Sequence, residues 1–382
     1  MNMNNRPGLI ACSLFLLALT ACGGGGGSTA APPSNTPPVT PPAATTRYFA
    51  YVTNRFSNDV WTYSIDATSG ALTPVGAPVA AGSSPNDVAV GPSGKFAYVA
   101  NAGSNDISTY SINATSGALT RVGTPTVAGN GPVLITVHPS GKFTYVMNAS
   151  SVDVWTYSID AANGALTPVG APVAAGFILA PPSSLTVHPS GRFAYVVKSD
   201  FFGSGDISTF TIDAGTGALT FASAIDSSPY PSIISIDPSG KFAYVSNEGG
   251  GNTVSVFTIN PTTGALTFVA STASGAQPAG VAVDPSGRFV YSANASSNDV
   301  SAYTINTATG ALTAVGAPVP AGSGPFSVIV DPSGRFAYAQ NQESNNITSY
   351  TINATTGALT ALGAPVAAGS SPSSIITIRI TE

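Results

Sequence analysis

The chain holds 382 residues, with 12 Lys and Arg against 17 Asp and Glu, a formal charge of −5 and only 8% charged residues. The length allows one large or two ordinary domains, and the acidic balance disfavours nucleic acid as a partner. No stretch after residue 21 carries the ~18 uninterrupted apolar residues of a spanning helix, and the 41 Gly and 31 Pro fit a chain of many turns.

Residues 1–21 read as a signal peptide: Arg6, then an apolar run from Leu9 to Leu19 too short to span as a mature helix. The run ends Leu19-Thr20-Ala21-Cys22, small residues ahead of a cysteine. This resembles the bacterial lipobox, which implies a lipidated Cys22 as mature N-terminus, and Gly23 in place of Asp implies the outer membrane of the cell envelope. The plainer alternative is an ordinary secretory peptide with a chance cysteine. Cys12 lies inside the signal, so the mature chain keeps one cysteine and no internal disulfide. Residues 22–46 form the tether: glycines from Gly23 to Gly27, then paired prolines, a composition that buries no core.

From 47 to 382 the sequence is a repeat array. A phrase like Phe-Ala-Tyr-Val-x-Asn recurs with its first residue at Phe49, Phe96, Phe143, Phe193, Phe242, Phe289 and Phe336, spaced by 47–50 residues. Each period carries four short strand signals and no helical pattern. In the second repeat these are Asp87–Val90 (strand A), Phe96–Val99 (B), Ile107–Ile112 (C) and Ala118–Val122 (D), with turn chemistry at Pro92-Ser93-Gly94-Lys95 and Asn113–Gly117. Period and strand count predict an all-β fold, a seven-bladed β-propeller of four-stranded blades. The array begins at a strand B and ends on an orphan strand A, Ser374–Ile378. The N-terminal strands B–D then pair with the C-terminal strand A and close the ring without exposed edges.

Residues that recur once per blade read as structural. Asp59, Asp106, Asp153, Asp206 and Asp299 precede strand C and are expected to cap backbone turns; one carboxylate per blade is too dispersed for a metal, and neither metal nor cofactor is expected. His138 and His188 stand where other blades have Asp237, Asp284 and Asp331, and replace a turn aspartate. Trp61 and Trp155 fill gaps between blades.

What departs from the repeat is not needed by the blade. The fourth repeat has two insertions on the face shared by the D–A and B–C loops, one with Phe177, Ile178 and Leu179, the other with Phe201 and Phe202. Lys198 replaces the usual Asn there. Two readings stay open: the apolar residues plug the channel mouth, or they form a surface for an unknown protein or small-molecule ligand. The same face gathers ten acids, Asp87 and Glu248 among them, against two bases, Arg55 and Lys198.

The phrase Tyr51-Val52-Thr53-Asn54 resembles the YVTN and lactonase-like seven-bladed propellers, over nearly all of 47–382. Related lactonases and lactonising enzymes carry a Glu, a His and arginines around the channel mouth. Tyr244-Val245-Ser246-Asn247-Glu248 matches the Glu position. The family's Pro-Arg-His before strand A is here Pro231-Ser232-Ile233, and no blade supplies His or Arg at those positions. The resemblance thus implies Glu248 as a base without its partners. The expectation is a monomeric envelope lipoprotein whose propeller is a non-catalytic binding module, held to the membrane by its lipid alone. The alternative is a lactonase-family hydrolase, 6-phosphogluconolactonase-like, acting on a lactone at the channel mouth.

Overall fold

Strand B of every repeat is apolar on both faces because each sheet is packed between two others, and its tyrosines (Tyr51, Tyr98, Tyr145, Tyr195, Tyr244, Tyr291 and Tyr338) are at most 1% exposed. The computed structural model describes residues 45–176, 182–200, 203–227, 229–249 and 251–381. Their strands form seven antiparallel sheets. Blades are numbered here by their strand B, and blade 2 shows the plan: strand A Pro85–Val90, B Phe96–Asn101, C Asp106–Ile112 and D Leu119–Arg121 with Thr126–Val127. Strand A of each blade touches strand A of the next all the way round. This is the expected seven-bladed β-propeller.

Closure is as the sequence implies, over a longer strand. In blade 1, Thr46–Asn54 pairs antiparallel with Pro372–Thr381, from Thr46 opposite Thr381 to Asn54 opposite Pro372. Pro85 opposite Asn101 in blade 2 has the same register.

Strand D departs from expectation. In five blades it is broken into two short pieces, and only blades 4 and 5 have a continuous one, Leu219–Asp226 and Leu266–Ala273. The break falls at segments such as Val75-Gly76-Ala77-Pro78, where proline lacks the N–H that an edge ladder needs.

Neighbouring blades are joined by repeated bonds. The Tyr51 hydroxyl donates to the Gly117 carbonyl of the next blade at 2.9 Å, and Tyr338 does the same to Gly70 across the closure. Gly117 needs its identity: φ is +74°, and a Cβ there would lie 2.3 Å from the Phe49 ring. Arg335 stacks on Phe336 and donates to the Ala67 and Thr68 carbonyls of blade 1. His138 accepts the Ser140 N–H at Nδ1, which leaves the proton on Nε2 for the Gly191 carbonyl of blade 4. Histidine therefore adds a tie between blades that the turn aspartates do not make. Asp237 instead accepts from the Lys241 and Phe242 N–H groups of its own turn.

Candidate active site at the channel mouth

Each strand A starts with a proline, set against the asparagine near the end of strand B in six blades and against Lys198 in blade 4, and a β-bulge follows it in every blade, as between Pro85 and Asp87 or Pro325 and Ser327. A bulge re-aims side chains, and here the residues after the proline turn toward the axis. Asn86, Asp87, Val133, Leu134, Ser183, Ser232, Ile233, Gly280, Phe326, Ser327, Ser373 and Ser374 line a cavity of about 460 Å³, with Ala149, Ser199 and Glu248 from the ends of strand B. Every blade contributes, so no stretch of sequence contains the site.

Two carboxylates face this cavity. The Ser232 hydroxyl donates to Glu248 Oε1 at 2.6 Å. Asp87 Oδ1 accepts the Ser374 hydroxyl at 2.6 Å, and Oδ2 accepts the Ile135 N–H at 2.9 Å. Some Asp87 surface faces the cavity, yet the carboxyl is set deep in the wall. Burial pushes its pKa up to about 6, partly offset by hydrogen bonds from Ser374 and from the Ile135 and Val88 N–H groups. Among the described residues a cation reaches the rim only indirectly: Arg55 donates to Asn86 Oδ1, while Asn86 Nδ2 donates to the Val133 carbonyl. None of the described lining residues is Lys or Arg. Among the described residues no three His, Cys, Asp or Glu converge as metal ligands.

Lys198 does not line this cavity. Its ammonium lies 2.9 Å from Asp206, beside a small separate pocket with Asp200 and Asp226. The aspartates before strand C also differ from expectation. Asp59, Asp106, Asp153 and Asp299 accept from the Asn54, Asn101, Asn148 and Asn294 amides that end strand B, rather than capping backbone. Phe177, Ile178, Leu179, Phe201 and Phe202 lie outside the described residues, as does Cys22. Sequence reasoning found Glu248 but counted Asp87 only as surface charge. The available signal was an acid directly after a strand-A proline and its neighbour, where other blades have apolar or hydroxyl residues.

The sequence profile of the family described as lactonase, seven-bladed β-propeller matches residues 44–135, 78–179, 222–330 and 321–376, more than half of the chain. The chain belongs to that family. No curated protein sequence matches it. Among solved structures, a candidate 6-phosphogluconolactonase from Bacteroides fragilis superposes with TM-score 0.75 at 22% identity, over 87% of this chain and 98% of that one. The periplasmic gluconolactonase of Pseudomonas aeruginosa gives 0.73 at 19% identity, over 88% and 100%. A Lactobacillus plantarum protein gives 0.75 at 18%, over 87% and 100%. At these identities the likeness is one of fold.

Proposed function

We propose that the channel mouth hydrolyses a small, uncharged lactone. This keeps the lactonase alternative of the sequence reading but not its 6-phosphogluconolactonase-like substrate, and family membership favours a lactonase over a non-catalytic module. The observation that carries it is the cavity itself: seven strands converge on a recess of about 460 Å³ into which Glu248, at the family's Glu position, projects. Hydrolysis needs a base for water and donors for the developing oxyanion. Glu248, held by Ser232, takes the water proton; Ser183, Ser232, Ser373 and Ser374 already donate to protein acceptors, which leaves the Ser199 and Ser327 hydroxyls of the wall as the neutral donors. With no cation and two carboxylates among the described lining residues, a phosphorylated lactone is disfavoured against a neutral one.

The test is a panel of aldonolactones and aliphatic lactones, with and without phosphate, on the parent and Glu248→Gln. Hydrolysis of the neutral members should fall by at least about a hundredfold in the variant. Absence of hydrolysis above buffer, or a rate indifferent to Glu248, overturns the proposal and restores the binding module.

The envelope location is a second part of the proposal, supported by the lipobox-like run ending at Cys22. Acyl chains contribute about 0.8 kcal/mol per buried CH₂, so Cys22→Ser should move the protein from the membrane to the soluble fraction. Unchanged fractionation refutes the anchor.

A further inference from the structure

Asp87 carries a charge that its blade does not need. In blade 4 the equivalent residue, second after the strand-A proline, is Ser184. Its hydroxyl accepts the Ile234 N–H at 3.3 Å, as Asp87 Oδ2 accepts the Ile135 N–H at 2.9 Å. A neutral hydroxyl thus suffices to tie one inner strand to the next. The other blades have Leu134, Ile233, Gly280, Ser327 and Ser374 at this position. A carboxylate beside Val133 and Leu134 in the wall is costly to bury, and burial raises its pKa to about 6. A destabilising group kept on the wall of a cavity marks function rather than folding.

Its position is suited to one. Asp87 is in blade 2 and Glu248 in blade 5, three blades apart one way round the ring and four the other, so the two face each other across the mouth. Around Asp87, blade 1 brings Ser374, blade 3 brings the Ile135 N–H, and strand B of its own blade sets Ala100 opposite it. The charged groups that the mouth adds are Arg55, engaged by the adjacent Asn86, and Glu248 across the cavity.

We propose that Asp87 is a catalytic residue, the acid that protonates the leaving ring oxygen. The inference rests on the lactone-hydrolase reading above. Glu248 removes one proton as the water oxygen bonds to the lactone carbonyl carbon. The tetrahedral adduct then collapses, the bond from that carbon to the ring oxygen breaks, and the oxygen takes the proton from the Asp87 carboxyl. The product is the open hydroxy acid. Glu248 returns its proton to solvent and Asp87 recovers one from it, so no other reactant is consumed. Two carboxyls in unlike environments on either side of a substrate are the usual division into base and acid.

The test compares leaving groups. δ-Valerolactone expels an alkoxide and needs the acid; dihydrocoumarin expels a phenoxide and needs it far less. Asp87→Ser copies Ser184 and keeps the strand tie, with Asp87→Asn as a second variant and melting curves as the check on folding. With δ-valerolactone, kcat should fall by about a hundredfold or more, against less than about tenfold with dihydrocoumarin. The parent's δ-valerolactone rate should decline as pH rises through about 6, and this limb should vanish in both variants. Equal losses on both substrates, or none, overturn the acid role. Hydrolysis that depends on Glu248 and ignores Asp87 sinks this inference and leaves the lactonase reading standing. A parent inert to both lactones sinks the two together.

Discussion

The Lys198 ammonium lies 2.9 Å from Asp206 Oδ1, the place taken in other blades by an asparagine amide, as Asn101 Nδ2 bonds Asp106 at 2.6 Å. Lys198, which departs from the repeat, closes the base of the B–C loop. Lys198→Asn should restore the common clasp, with stability within about 1 kcal/mol of the parent. Lys198→Met leaves Asp206 without that partner and should cost about 1–3 kcal/mol. Denaturant midpoints measure both. If Lys198 instead contacts substrate, Lys198→Asn will raise KM while leaving stability alone.

Asp87 predicts an unusual pH dependence of stability. Its carboxyl holds a proton up to about 6 in the fold, against the ordinary aspartate value of 3.8 in the unfolded chain. Between those values the folded state binds more protons, so this group's contribution to stability declines as pH rises and is flat above about 6. Asp87→Asn should therefore be more stable than the parent at neutral pH by about 1–3 kcal/mol. The difference should disappear toward about pH 4. A variant less stable than the parent at neutral pH would show that the carboxylate is needed by the fold.

The fold was legible because its signals are local and repeated: the seven strand-B phrases, the Pro-Ser-Gly turns and the orphan strand A. The two-piece strand D was legible in principle, since Val75-Gly76-Ala77-Pro78 and its counterparts state it, and blades 4 and 5 lack the segment. The site was less so. Asn86 takes its bond from Arg55 in another blade, and Asp87 takes its bonds from Ser374 and Ile135, 287 and 48 residues away. No spacing rule reaches across a ring closure. The repeat comparison could have marked Asp87 as exceptional, but its burial exists only once the strands converge.

Closure yields a direct prediction. Strand A of blade 1, Pro372–Thr381, is paired along all of Thr46–Asn54, and its Ile375, Ile378 and Ile380 are buried. Removing 372–382 strips the inner strand from one blade and opens an edge toward blades 2 and 7. Loss of a single cooperative transition, or aggregation, is expected in thermal melts of the truncated protein. A melting temperature equal to the parent's would mean that the pairing contributes nothing.

The seam between blades 2 and 3 has a local packing defect beside a turn that lacks its aspartate. Blades 5, 6 and 7 begin the A–B turn with Asp237, Asp284 and Asp331, each accepting two N–H groups of the turn, as Asp284 does from Arg288 at 2.8 Å and Phe289 at 2.7 Å. Blade 2 has Gly91 there. Phe96 is only half-buried where its counterparts in other blades are buried. The Tyr98 hydroxyl has no partner among the described residues, and a cavity of about 210 Å³ opens between Gly91, Tyr98 and Gly141. Gly91 is not left-handed, and the nearest atom to an added Cβ is the Phe96 carbonyl oxygen at 3.8 Å. Gly91→Asp can therefore supply the missing acceptor for the Lys95 and Phe96 N–H groups. The gain should be about 1 kcal/mol from the new bonds, with a further ~0.5 kcal/mol from the lost freedom of glycine in the unfolded chain. Gly91→Ala, which has the second effect alone, separates the two. A denaturant midpoint for Gly91→Asp no higher than that for Gly91→Ala would refute the capping explanation.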